Sequence, residues 1–163
     1  MNSLYKIFFT IVVISLLLLF YISYNNHSFK TNPLPKDTIA RIDNKKKELK
    51  KLVYENYGFK RDIPIHISSK LDNNLYGLAV YSKGDIKIIL NKNRFQESED
   101  YMIDYVLPHE YAHTVMFLLG DFTRENSGHS LRWQNICLSL KGKKCDRYVD
   151  HQDIVLDKLD FVY

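Results

Sequence analysis

Hydrophobic and polar positions recur along this chain with different periods, and each period predicts a different kind of element. Residues 7–22 are apolar apart from Thr10 and Ser15. With Leu4, Tyr5, Ser23 and Tyr24 the run reaches about twenty residues, the length that crosses a hydrocarbon core. Tyr21 and Tyr24 stand at one end of it, where aromatic rings favour the membrane interface. Residues 25–35 are polar, contain Pro33 and Pro35, and read as a tether. From 36 to 57, Ile39, Ile42, Leu49, Leu52 and Val53 recur on one helical face, lysines cover most of the remainder, and Gly58 ends the helix. Residues 63–68 alternate as a short strand, while 75–81 and 85–90 flank Ser82-Lys83-Gly84, a hairpin signal. A further helix is predicted over 99–119, with Pro108 inside it; proline lacks a backbone donor, so a kink is expected there. Gly120 closes that helix, 121–128 is a polar loop suited to the rim of a cleft, and Leu131, Trp133, Ile136, Leu138 and Leu140 predict a last helix over 128–140. The expected organisation is an anchor over 1–24, a tether over 25–36 and one domain over 37–163.

Candidate chemistry changes this picture at one place. His109-Glu110-Tyr111-Ala112-His113 reads H-E-x-x-H on the predicted helix, led in by Tyr101, Met102, Tyr105 and Val106 and followed by Val115, Met116 and Leu119 at helical spacing. Residues four apart share a helix face, so His109 and His113 can address one ion. Neutral imidazole is a good zinc ligand, and Glu110 beside them is placed to take a proton from a water at that ion. The alternative is a structural cluster. Two unpaired histidines and a carboxylate on a largely buried helix are costly without a metal, which favours the ion.

A catalytic zinc site takes a third protein ligand and leaves one position open. The pattern H-E-x-x-H-x-x-G-x-x-H fails, because Met116 and Leu119 replace its glycine and last histidine. Two candidates remain. Glu125 is the only glutamate after Glu110 and lies in the polar loop; His129 opens the predicted last helix, which would give it a fixed direction. His129 is the preferred ligand. Arg147, Tyr148 and His151 lie in the turn-rich segment 141–150 and are candidates to stabilise an oxyanion, although nothing in the sequence fixes their direction.

These residues resemble the SprT-like (Spartan-type) zinc metalloproteases. Val106-Leu107-Pro108-His109-Glu110-Tyr111-Ala112-His113 is similar to the family's V-V-P-H-E-L-A-H signature, and Gly128-His129-Ser130-Leu131-Arg132-Trp133 to its H-G-x-x-[FW] segment. Leu140-Lys141-Gly142 with Cys145 resembles its L-G-G-x-x-x-x-C run. Upstream, Tyr76-Gly77-Leu78-Ala79 and Ile86-Lys87-Ile88-Ile89-Leu90-Asn91 resemble its glycine-containing hairpin and its I-x-L-N strand. The likeness spans 37–151. It implies an α+β, zincin-like fold with a short antiparallel sheet packed on the active-site helix. It also implies His129 as third zinc ligand, and a protein substrate, unfolded or DNA-bound as in eukaryotic relatives. The sequence departs from the pattern at Ser130, where glycine is usual, at Asp146, where histidine is common, and in having no C-x-x-C pair for a zinc ribbon.

Composition adds bounds. The formal net charge of +4 is a mild excess without a pronounced block, compatible with DNA or anionic lipid but arguing for neither. The lysines over 36–57 are read as a solvated face, with contact to lipid or nucleic acid as the alternative. Cys137 and Cys145 are too few for a structural zinc site. A cleaved signal peptide would want small residues before its cleavage point, and Tyr21, Tyr24 and the adjacent asparagines make a poor one, so an uncleaved single-pass anchor is expected. Lys30, Lys36, Arg41 and the lysines after them outweigh Lys6, which places the domain on the cytoplasmic side. An exported domain would instead allow Cys137 and Cys145 to pair.

Overall fold

The computed structural model describes residues 3–122 and 129–145. The chain divides into two units, Met1–Leu34 and Pro35–Tyr163.

The first unit is a single helix, α1 (Ser3–Thr31). None of its residues is buried, and it is long and apolar enough to cross a membrane; a signal sequence near an N-terminus meets the same test. The Thr10 hydroxyl donates to the carbonyl of Lys6 at 2.8 Å, so this polar group in the apolar run is satisfied within the helix. The helix continues seven residues beyond Tyr24. Most of the segment read as a tether is therefore helical, because Asn25, Asn26 and His27 do not break a helix and the first residue that does is Pro33.

The second unit opens with α2 (Lys36–Tyr57), which buries Thr38, Ile42, Leu49 and Val53. Gly58 ends it in the left-handed conformation at φ 75°, its N–H donating to Tyr54. Ile39 is exposed, so the buried stripe is narrower than the sequence pattern. Several lysines of α2 have carboxylate partners: Lys46 and Lys50 both reach Asp62, at 2.8 and 3.2 Å, and Lys45 reaches Asp104 at 3.0 Å.

Three strands follow, β1 (Ile65–Ser68), β2 (Gly77–Ser82) and β3 (Asp85–Asn91), in the order β1-β3-β2. The expected hairpin is present. Lys83 and Gly84 both have positive φ, 50° and 90°, as a two-residue turn matched to strand twist requires. β2 pairs antiparallel with β3, Gly77 opposite Leu90, but β1 pairs parallel with β3, Ile65 opposite Ile88. The sheet is thus mixed, not purely antiparallel. Ile86, Ile88 and Leu90 alternate along β3 onto one buried face. Asn91, fully buried, donates to the carbonyls of Asp72 and Leu75 and accepts from the N–H of Asn93, fixing the loop that delivers β2.

After a 3-10 turn (Lys92–Gln96), Ser98 caps a short helix, α3 (Glu99–Tyr101), by accepting from the N–H of Tyr101. A π-helical turn (Met102–Val106) then leads into α4 (Leu107–Leu118). The kink expected at Pro108 takes this form. The N–H of Leu107 donates to Met102, five residues back, and the wider turn spares the helix the clash between a proline ring and the carbonyl four residues earlier. α4 packs on β2, β3 and α2, and on the last helix, α5 (Leu131–Ser139). α5 starts later than predicted, with Ser130 as its N-cap. Cys137 and Cys145 form a disulfide that ties the end of α5 to the following turn.

Candidate metal centre

α4 carries His109 and His113 one turn apart, as the spacing predicts, with ring centroids 5.2 Å from one another. His129 comes from outside any helix. It sits just before the Ser130 cap, in the left-handed conformation at φ 51°, so its direction is set by a turn and not by a helix start. Histidine is among the residues that tolerate this region better than most. Ser130 itself is ordinary extended backbone at φ −62°, which explains why no glycine is needed there.

The three rings close a near-equilateral triangle: His109 and His129 are 4.8 Å apart, His113 and His129 5.0 Å. One nitrogen of each lies within 4.8 Å of the others, and the Nε2 atoms of His109 and His129 are 2.9 Å apart. A tetrahedral zinc with ligands at about 2.05 Å separates them by about 3.3 Å, and the observed spacings bracket that value. Three imidazole nitrogens brought this close together fit a divalent metal of the zinc kind. Burial, reinforced by His113 and His129, lowers His109 to about 3, and burial with His129 lowers His113 to about 4. Both rings are therefore neutral at physiological pH, the form that offers a lone pair.

Glu110, next along α4, is almost fully buried and turned toward β2. Burial pushes it up to about 8, opposed by the backbone N–H of Ala79, which donates to the carboxylate. A dication held by the histidines would draw it back toward ionisation.

Trp133 was named in the sequence only as an apolar position and a motif match, yet it is fully buried against all three histidines. Its ring lies 4.6 Å from His109, 5.1 Å from His113 and 4.4 Å from His129. Its place four residues after His129 was the available signal. Beyond His113 on α4, Phe117 meets Tyr81 of β2 and Phe122, at 6.0 Å each, an aromatic cluster joining helix and strand. Asp121, also buried, accepts from Arg132 at 3.2 Å. Glu125, the alternative ligand, and Arg147, Tyr148 and His151, the oxyanion candidates, lie outside the described residues.

The SprT-like family profile matches residues 43–151, more than half of the chain and all of the elements that build this site except the first turns of α2. The chain belongs to the SprT-like family. The three-histidine cluster of this SprT-like chain falls wholly within the matched span, as do Glu110 and Trp133. No curated protein matches the chain, and no solved structure does.

Proposed function

We propose that this SprT-like protein is a zinc-dependent endopeptidase that cleaves protein substrates and is held in a membrane by α1. The observation that carries the reading is the gathering of His109, His113 and His129, with Glu110 next along α4 and buried against β2. In this reading the three histidines hold Zn²⁺ and Glu110 is the general base. Zinc, when bound, supplies Lewis-acid polarisation of a substrate carbonyl and lowers the pKa of water toward neutrality. Glu110 accepts the proton of the attacking water and returns it to the leaving amine. The apolar wall of Trp133 keeps bulk water from the far side of the histidines and holds their rings in place.

A catalytically silent zinc- or protein-binding module would not need a buried carboxylate at position 110, where glutamine would cost less to bury. A nucleic-acid accessory role rested on the lysines of α2, and the carboxylate partners of Lys45, Lys46 and Lys50 reduce the charge available for it. Two orientation signals oppose each other. The lysines following α1 favour a cytoplasmic domain, and the Cys137–Cys145 disulfide favours an oxidising compartment. Labelling of intact cells with a membrane-impermeant maleimide, after mild reduction, decides between them.

Catalysis is tested with a denatured mixed-protein substrate. Glu110→Gln should retain zinc and fold yet lose at least about a hundredfold in rate, the usual scale for a general base. An unchanged rate removes Glu110 from the role, and no cleavage by the wild type leaves the binding module as the reading.

A further inference from the structure

Gly77 opens β2 at a place where a strand gains nothing from glycine. Its backbone is not in the left-handed region, so any residue could adopt its conformation, and glycine within a strand is less stable than alanine there. The reason lies on α4. A Cβ built on Gly77 would stand 2.8 Å from Cγ, 2.9 Å from Oε1 and 3.1 Å from Cδ of Glu110. These are contacts that carbon atoms do not make without something moving.

The strand phase accounts for the meeting. The N–H of Asn91 donates to the carbonyl of Tyr76. The backbone groups of 76, 78, 80 and 82 therefore face β3, and those of 77, 79 and 81 face the open edge. Residues 77 and 79 lie opposite Leu90 and Ile88, whose side chains are on the buried face. Gly77 thus presents a bare backbone toward α4. Two residues on, Ala79 turns its N–H outward to the same carboxylate.

We infer that Gly77 is a positioning residue for Glu110: the missing side chain leaves the space in which the carboxylate lies against β2, and the Ala79 N–H fixes it there. The inference deepens the peptidase reading and rests on it for its functional half. A methyl group at 77 meets the flexible end of a side chain and not backbone, so the fold gives way at Glu110. The carboxylate swings off β2, loses the Ala79 hydrogen bond and leaves its position relative to the three histidines. A displacement of about 1 Å at a reacting group costs roughly a hundredfold in rate.

The test is a cycle on the full-length, detergent-solubilised, metal-free chain: wild type, Gly77→Ala, Glu110→Ala and the double variant, read by thermal unfolding. Gly77→Ala should lower Tm when Glu110 is present and raise it when residue 110 is alanine, because the clash is gone and only the backbone gain remains. Any difference in that direction supports the contact; equal changes, or a more favourable change with Glu110 present, overturn it. Should Gly77→Ala alone not fold, Glu110→Ala must restore folding. The second arm uses the zinc-loaded enzyme. Gly77→Ala should keep its zinc and its KM while kcat falls by about tenfold or more. An unchanged kcat in a cleaving enzyme overturns the positioning role. Absence of cleavage by the wild type counts against the peptidase reading alone, since the thermal cycle stands without it.

Discussion

Trp133→Phe separates what the indole does for the fold from what it does for the metal. The substitution removes two carbons and the Nε1–H from a side chain with no exposure. At about 0.8 kcal/mol per buried carbon, the lost burial amounts to about 1.6 kcal/mol, with a further contribution from the cavity. The offset comes from Nε1, which is buried and has no hydrogen-bond partner among the described residues. Removing such a donor returns about 1–3 kcal/mol. The two terms nearly cancel, so the metal-free variant should unfold within about 1 kcal/mol of the wild type. The metal term does not cancel. Indole contacts at 4.4–5.1 Å restrain all three histidine rings, and loosening the groups that orient ligands costs about 10–100-fold in affinity. Zinc Kd, measured by competition with a chromophoric chelator, should rise by that factor. The extra stability conferred by buffered zinc should shrink by about 1.4–2.7 kcal/mol. An unchanged zinc Kd with a large loss of metal-free stability would refute the argument and make Trp133 a core residue only.

The full-length chain should carry one zinc, lost in His129→Ala and kept in Glu125→Ala by elemental analysis; the reverse pattern would move the third ligand into the loop. In EDTA, stability should peak near pH 6.5. His109 and His113 are depressed from 6.5 to about 3 and 4, so the unfolded state takes up more protons there and stability is lost as pH falls below 6.5. Glu110 is raised from 4.5 to about 8, so its contribution is full at low pH and is lost as pH rises toward 8; denaturant midpoints across pH 5–8 that climb throughout would contradict the Glu110 part. Residues 4–24 should persist in the mature protein and resist extraction by salt and carbonate, and an intact mass lacking them would identify a cleaved signal sequence.

Local patterns made the histidine cluster of this chain legible. The four-residue spacing of His109 and His113 set their shared face, and His129 emerged because the other patterns lacked a ligand at the right place. What the sequence did not carry was set by distant partners. The parallel pairing of β1 with β3 joins Ile65 to Ile88, a non-local choice to which alternation is blind. Lysines read as a solvated face found Asp62 beyond the end of α2. Pro108 announced a missing donor, but a kink and a widened turn answer that equally well. His129 reads as a helix-start residue in the sequence and precedes the Ser130 cap in the structure, since left-handed backbone outside glycine leaves little trace in a sequence. Whether Cys137 and Cys145 pair depends on the compartment as much as on the fold.

The π-helical turn at 102–106 sets the angular phase of the whole site. Upstream of it, Glu99 and Asp100 are clamped to α2 through Arg41, and within it Asp104 is held by Lys45; downstream, α4 carries His109 and His113. A wide turn holds one more residue than an α-turn, and each residue rotates a helix by about 100°. Deleting a single residue within 102–106 would restore regular hydrogen bonding at the expense of the Pro108 clash. With the upstream clamp unchanged, it would also turn His109 and His113 about a quarter of the way round their axis, away from His129. The spacing between the acidic clamp and H-E-x-x-H is accordingly a fixed dimension of this protein. Insertions and deletions there should be far less tolerable than substitutions.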